Sequence, residues 1–465
     1  MNKEKKLIKN TLIYAVGNLG SKLLTFIMLP IYTEYLLTSE YGNLDLIIST
    51  ISLIMPIVTF QITDGIYRFI LTEENKEEIK KYISNGIFVV ITNLIVFTGI
   101  YTILSCFIKF ENKILIYVYF ITMVFYTLWA QIARGLKKNL EYAISGIIVT
   151  VVTAFLNILL IVKFGLGVKG FIISYIVGFI AAFLYLEKTT HIIDSIKITL
   201  KDKKIKKKLC KFSIPLIPNV ISWWVMNVSD RYMITYFLTD SVNGIYSIAN
   251  KFASIIVIIN TFFSLAWQES AILEYESEDR DKYYTKMFNS YMKLQFTGML
   301  ILLSVTRLAF VFYIKGDFLD GYKIVPILYM ASVFSAFSVF YGTGYISAND
   351  TKGSFYTTVI GAMLNIFINI FTIPMLGIYG AAVSTLISYA VVWILRVIQT
   401  KKYFKIIIDK KDFGILLTLN IVFSMLYYSN NIYINMIMIL ISIIVFIAYN
   451  KKLVRKILSF VVKSK

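Results

Sequence analysis

The chain carries one histidine and two cysteines in 465 residues. His191 stands alone in a polar stretch, so no His/Cys cluster exists to hold zinc or a transition metal. Cys106 and Cys210 lie at the end of an apolar run and in a basic segment, on opposite sides of the expected topology. A disulfide between them is not expected, and they read as inert thiols. No cofactor is expected. Acidic residues are also short: 27 Asp and Glu stand against 47 Lys and Arg, a net charge of +20. Prolines number only six, while 58% of residues are hydrophobic and mean hydropathy is +0.72. A soluble interior of this length could not hide so much apolar surface.

What is present instead is a series of apolar runs of about 20 residues, each long enough to cross about 30 Å of hydrocarbon. Fourteen spans are expected, at 10–32, 42–63, 83–107, 114–133, 142–162, 168–186, 213–238, 244–268, 287–313, 323–346, 354–375, 378–398, 413–428 and 432–450. The start "MNKEKKLIKN" imitates a signal peptide, but the run behind it passes signal length with no small-residue cleavage site. It reads as the first span. With the N-terminus inside, external loops hold only Lys109, Lys113, Lys163, Lys169, Lys315 and Lys323. Lys22, Arg231, Lys251, Lys293 and Arg307 fall within spans, and the remaining Lys and Arg, with Arg396 at the end of its span among them, are read as cytoplasmic. This bias predicts both termini inside. The basic excess is then a topology signal, and no nucleic-acid partner is expected.

The chain repeats itself. "LGVKGFIIS" (166–174) answers "LGIYGAAVS" (376–384), and "YLLTSEYG" (35–42) answers "YFLTDSVNG" (236–244), at nearly one offset. Six spans per half make these parallel repeats, related by an axis along the membrane normal. The expected fold is all-α and polytopic: about fourteen transmembrane helices in two pseudo-symmetric six-helix bundles, with two C-terminal helices added. The expected divisions are a lobe at 1–200, a polybasic cytoplasmic connector at 201–212, a lobe at 213–400 and the added helices with a basic tail at 401–465. The connector, "KDKKIKKKLCK" (201–211), reads as a topology anchor touching anionic headgroups.

Polar residues inside the spans fall in stripes. Thr11, Ala15, Asn18, Lys22 and Thr25 share one helical face, as do Asp45, Ser49, Ser52, Pro56, Thr59 and Thr63 in the second span. The seventh span carries Asn219, Ser222, Asn227, Asp230 and Arg231. The eighth carries Ser247, Lys251 and Ser254, continuing toward Thr261 and Gln268. For the Ser and Thr alone, helix-to-helix packing is an adequate reading. For the cations it is not. Lys22 lies roughly 15 Å from the nearer end of its span, beyond easy snorkelling reach. Lys22, Arg231 and Lys251 face only Asp230 at comparable depth, an excess of positive charge that points to an anionic ligand. The striped helices open each half, so the repeat would set them around a cavity between the halves. Lys293 and Arg307, near the ends of the ninth span, are expected to snorkel.

The ordered set "LLTSEYGNLDL" (37–47), "DGIYRFI" (64–70), "ARGLKKN" (133–139) and the two Gly motifs resembles polysaccharide-export flippases of the Wzx type. Multidrug MATE exporters and lipid II flippases belong to the same superfamily. The resemblance covers essentially the whole chain. It implies transport, by alternating access, of an undecaprenyl-pyrophosphate-linked oligosaccharide to the outer leaflet of a bacterial cell membrane. Polymerase and glycosyltransferases would be partners beside the membrane lipids. Lys22, Arg231 and Lys251 match the cations of such a cavity, and Arg68 matches an Arg-Phe pair near its cytoplasmic mouth. The implied substrate-binding set is Lys22, Arg231, Lys251, Asp230, Asn18, Asp45, Arg68 and Asn227. The last two spans resemble those shaping a lipid-tail groove in lipid II flippases. Three other readings exist: a lipid II flippase, a MATE-type exporter using Asp45, Asp64 or Asp230 for cations, and a membrane-embedded glycosyltransferase. The external loops are too short for the catalytic carboxylates of the last.

Overall fold

The apolar runs become helices. A computed structural model describes residues 26–108, 110–348, 351–429, 431–451 and 454–455, and these are helical with no strands. Eleven helices among them are long and apolar enough to cross a membrane. Two more occupy the thirteenth and fourteenth expected positions, and the first expected span lies mostly outside the described residues. The chain divides into two compact units after Trp224.

The first unit contains α1 (Leu29–Tyr35), α2 (Thr38–Val58), α3 (Ile62–Thr72), α4 (Lys76–Phe107), α5 (Lys113–Gly135), α6 (Asn139–Asn157), α7 (Gly167–Thr190) and α8 (Lys203–Ser213). The second expected span, 42–63, is not one helix. Pro56 weakens the backbone ladder, and Phe60 and Gln61 take left-handed φ of 51° each, which turns the chain before α3. The stripe therefore stops at Thr59, and Thr63 belongs to another element. Trp224, at the unit's end, donates its indole N–H to Ser49 O at 3.1 Å and Ser52 Oγ at 3.0 Å. For these serines, helix-to-helix packing accounts for the stripe.

The polybasic segment is itself a helix. Asp202 caps α8 by accepting from the N–H groups of Lys204 and Ile205, and Ile205, Leu209 and Ser213 are buried where α8 packs on α3 and α4. Its lysines occupy the opposite face. A 3-10 turn, Ile214–Leu216, leads into α9 (Ile217–Phe237), and the division between units falls inside α9.

The second unit continues with α10 (Asp240–Leu273), α11 (Arg280–Tyr313), α12 (Val325–Ser347), α13 (Thr351–Leu376), α14 (Ile378–Thr400), α15 (Lys410–Tyr427) and α16 (Ile432–Tyr449). Helix α12 is its buried centre, packed against α10 and α14. The two Gly motifs are built alike. Gly167 and Gly377 open α7 and α14 at φ of 49° and 59°, where a side chain would be strained. Gly170 and Gly380 then let the preceding helix approach closely, at Leu160 and Thr372.

The added helices α15 and α16 are fastened to α11 by polar groups. Asp412 pairs with Lys293 at 2.5 Å, Asn420 donates to Phe296 O at 3.2 Å and Asn450 donates to Thr297 Oγ1 at 2.9 Å. Asp409 caps α15, and the Asp412 N–H it accepts holds its carboxyl below the usual carboxylate range. Lys293 is thus ion-paired instead of snorkelling, and Arg307 lies over the Tyr322 ring, 3.8 Å from its centroid. Both Lys293 and Asp412 remain partly exposed, at 27% and 20%. A double-mutant cycle of Lys293→Ala and Asp412→Asn, read by thermal unfolding in detergent, should therefore give a coupling of about 0.5–1 kcal/mol. Additive effects would show that the pair does not fasten α15.

Candidate functional site

Lys22 and Asn18 lie outside the described residues. The other proposed residues divide between the units. In the first, Asp45 is buried on α2, while Arg68 on α3 is exposed. In the second, Asn227, Asp230 and Arg231 sit on α9 and Lys251 on α10.

The second unit gathers its residues around a buried carboxylate. Tyr246 of α10 donates its hydroxyl to Asp230 Oδ2, and Thr385 of α14 donates to the same oxygen at 3.5 Å. One turn before Asp230, the Asn227 carbonyl accepts from the Tyr389 hydroxyl at 2.6 Å. Ser229 donates to Asn365 Oδ1 at 3.1 Å, Asn369 donates to the same oxygen at 3.1 Å, and Ser384 donates to the Asn365 backbone carbonyl at 2.9 Å. Asp230, Tyr246, Asn365, Asn369 and Ser384 are each under 4% exposed. In hydrocarbon such groups must satisfy one another, so this network fixes how α9, α10, α13 and α14 meet.

Arg231 follows Asp230 directly, and both it and Lys251 are half-buried. At 1.5 Å per residue, Arg231 stands about 9 Å from the end of α9 and Lys251 about 16 Å from the start of α10. Two cations therefore lie well inside adjacent spans, beside a network rich in hydroxyls and amides. Such a surface can hold a phosphate by charge and a sugar by hydrogen bonding. Among the described residues, no group of three His, Cys, Asp or Glu could hold a metal ion.

One deep cation escaped the reading of the sequence. Arg396, inside α14 and 1% exposed, donates through Nε to Thr357 Oγ1 at 3.1 Å, through Nη1 to Ser338 O at 2.7 Å and through Nη2 to Thr358 Oγ1 at 3.0 Å. It ties α14 to α12 and α13. Gly342 leaves room for it, since a Cβ there would stand 2.6 Å from Nη1. The signal was available: Thr357 and Thr358 side by side in an otherwise apolar span, with an arginine in the next. Arg396 lies close to the end of its run, where an arginine reads as a cytoplasmic charge.

Residues 7–268 match the family described as polysaccharide biosynthesis protein. The chain belongs to that family. Among curated relatives, protein 1 of the Lsg locus of Haemophilus influenzae is 25% identical over an alignment of 262 residues that covers 54% of this chain. The chain spans 63% of that relative's length. Among solved structures, the lipid II flippase MurJ in an inward closed conformation matches 96% of this chain and 100% of its own, with a TM-score of 0.71 at 16% identity. An inward-facing multidrug resistance MATE transporter of the MOP superfamily matches 82% of this chain and 95% of its own, at TM-score 0.65 and 12% identity. A MOP superfamily transporter from Pyrococcus furiosus, with a binding pocket of reversed polarity, matches 85% of this chain and 95% of its own, at TM-score 0.58 and 12% identity. This member of the polysaccharide biosynthesis family is thus a multi-pass membrane protein with the fold of MOP superfamily flippases and exporters.

Proposed function

We propose that this protein is a flippase that carries an undecaprenyl-pyrophosphate-linked oligosaccharide from the cytoplasmic to the outer leaflet of a bacterial cell membrane, for surface polysaccharide synthesis. The observation that carries this reading is the pair of deep cations, Arg231 and Lys251, in a chain of the polysaccharide biosynthesis family. Lys22 and Asn18 on the first expected span, and Asp45 and Arg68 in the first unit, complete the proposed substrate-binding set with Asp230 and Asn227.

The physics of the cargo asks for this design. A bare diphosphate is too costly to drag through hydrocarbon, whereas its lipid tail can remain in the bilayer. A hydrated, cationic cavity, open alternately to either face, would meet both demands. Both termini lie in the cytoplasm in this scheme, as the distribution of lysine and arginine requires. A membrane potential that is negative inside favours outward movement of the anion, by about 4–5 kcal/mol for two charges across 100 mV. Glycosyltransferases would supply the substrate and a polymerase would consume it.

A second reading, a lipid II flippase, is favoured by the likeness to MurJ and would use the same diphosphate grip. Deletion of the gene separates the two. The first reading expects loss of surface glycan, with lipid-linked oligosaccharide accumulating and cell-wall synthesis unchanged. Arrest of cell-wall synthesis would favour the second, and a cell altered in neither would overturn both.

A further inference from the structure

A cavity of about 300 Å³ lies where α14 ends, lined by Tyr341, Val397, Thr400, Lys401, Phe404, Lys405 and Ile406. It is remote in sequence from the cations of the proposed substrate site, and the chain around it is firmly held. Phe404 is 3% exposed and its ring fits against Gly344, where a Cβ would stand 2.1 Å away; the ring also meets that of Tyr284 at 5.1 Å. Beyond it, Asn289 donates to Ile407 O at 2.8 Å and accepts from the Asp409 N–H at 2.9 Å, while Ile407 N–H donates to Thr285 Oγ1 at 3.1 Å. Lys401 and Lys405 thus extend from a backbone pinned on both sides.

Three features of this cavity point to a ligand. Neither Lys401 nor Lys405 is in an ion pair among the described residues, and both are exposed. Tyr341, 2% exposed, has a buried hydroxyl with no hydrogen-bond partner among them, a costly arrangement unless something uses it. Val397, Phe404 and Ile406 supply an apolar wall beside these groups. Two ammonium groups and a hydroxyl next to hydrocarbon match a phosphate attached to an acyl chain, and match poorly a small anion that would leave the wall wet. The position fits as well, at the end of a membrane-crossing helix, where headgroups lie.

We propose that this cavity binds the phosphate headgroup of an anionic phospholipid, held by Lys401 and Lys405 with the Tyr341 hydroxyl as donor. The cavity shares no residue with the proposed substrate-binding set, and its occupancy is read without measuring export. The full-length protein in a neutral detergent is titrated with phosphatidylglycerol, with phosphatidylcholine and with inorganic phosphate, and thermal unfolding is followed. Phosphatidylglycerol should raise the midpoint by about 3 °C or more, and the other two should raise it little. The Lys401→Ala/Lys405→Ala protein should lose the rise and Tyr341→Phe should lose part of it, each folding as the wild type does in its absence. Lys203→Ala/Lys204→Ala, on the basic face of α8, should keep it.

Three outcomes overturn the proposal. One is an undiminished rise in the Lys401→Ala/Lys405→Ala protein, as expected if these lysines merely offset the negative end of α14. Another is loss of the rise in the Lys203→Ala/Lys204→Ala protein, which would place binding on α8. The third is an equal rise with inorganic phosphate, which would make this a small-anion site.

Discussion

Replacing Lys251 by alanine is expected to stop export of surface glycan while the protein remains in the membrane at normal abundance. The two halves of that expectation have different causes. Lys251 is a half-buried ammonium inside α10, so its removal takes away a group that is costly to insert into a bilayer. Folding and insertion should not suffer. If the ammonium grips a diphosphate, its loss removes a charge-assisted hydrogen bond of about 1.5–3 kcal/mol, a fall in binding of roughly ten- to a hundredfold. Arg231→Ala and Lys22→Ala should behave alike. Lys251→Arg keeps the charge but replaces a compact ammonium with a planar fork, and should recover export only partly. Glycan export and protein abundance must be measured on the same cells, since a loss of both would report misfolding.

The largest expected effect on stability belongs to Arg396. Arg396→Met keeps much of the volume and removes the donors that Ser338 O, Thr357 Oγ1 and Thr358 Oγ1 accept from. Polar groups buried without donors cost about 1–3 kcal/mol each in soluble proteins, and hydrogen bonds between membrane helices average nearer 0.6 kcal/mol. Three together give a loss of about 2–4 kcal/mol. Arg396→Lys should fall between, because one ammonium cannot reach the partners of α12 and α13 at once. Gly342→Ala should resemble a mild form of Arg396→Met, because its new methyl displaces the guanidinium from Ser338 O. Thermal unfolding in detergent gives the order. An Arg396→Met protein that unfolds with the wild type would show that the cluster contributes nothing net.

The helices were legible because bilayer thickness sets a length that apolar runs must meet, and 139–163 and 378–400 end close to the edges of their runs. The glycine pairs were legible because a left-handed backbone followed by close helix contact leaves few other residues possible at Gly167 and Gly377. The break after Thr59 was not. Phe60 and Gln61 occupy left-handed backbone without a glycine to mark the turn, so period and hydropathy carried the helix on to 63. Nor could Lys293 be assigned to Asp412, since the pairing depends on how α15 docks against α11, a contact between segments distant in the chain. Within the candidate site, Asp230 and Asn227 were visible as polar residues on one face of a span. Their partners Tyr246, Thr385 and Tyr389 were not, because a tyrosine or threonine in an apolar helix reads as core until the neighbouring helix is placed.

The central claim is that the protein moves a diphosphate-linked glycan lipid with its deep cations. It is tested most directly by reconstituting the purified protein into liposomes carrying undecaprenyl-diphosphate oligosaccharide and following how much glycan becomes accessible at the opposite face. The account predicts that wild-type protein exposes the inner pool, that an inside-negative potential accelerates its outward movement, and that Lys251→Ala liposomes stay at the rate of protein-free ones. Wild-type liposomes that expose no glycan under either potential would contradict it, as would Lys251→Ala liposomes that expose it at the wild-type rate.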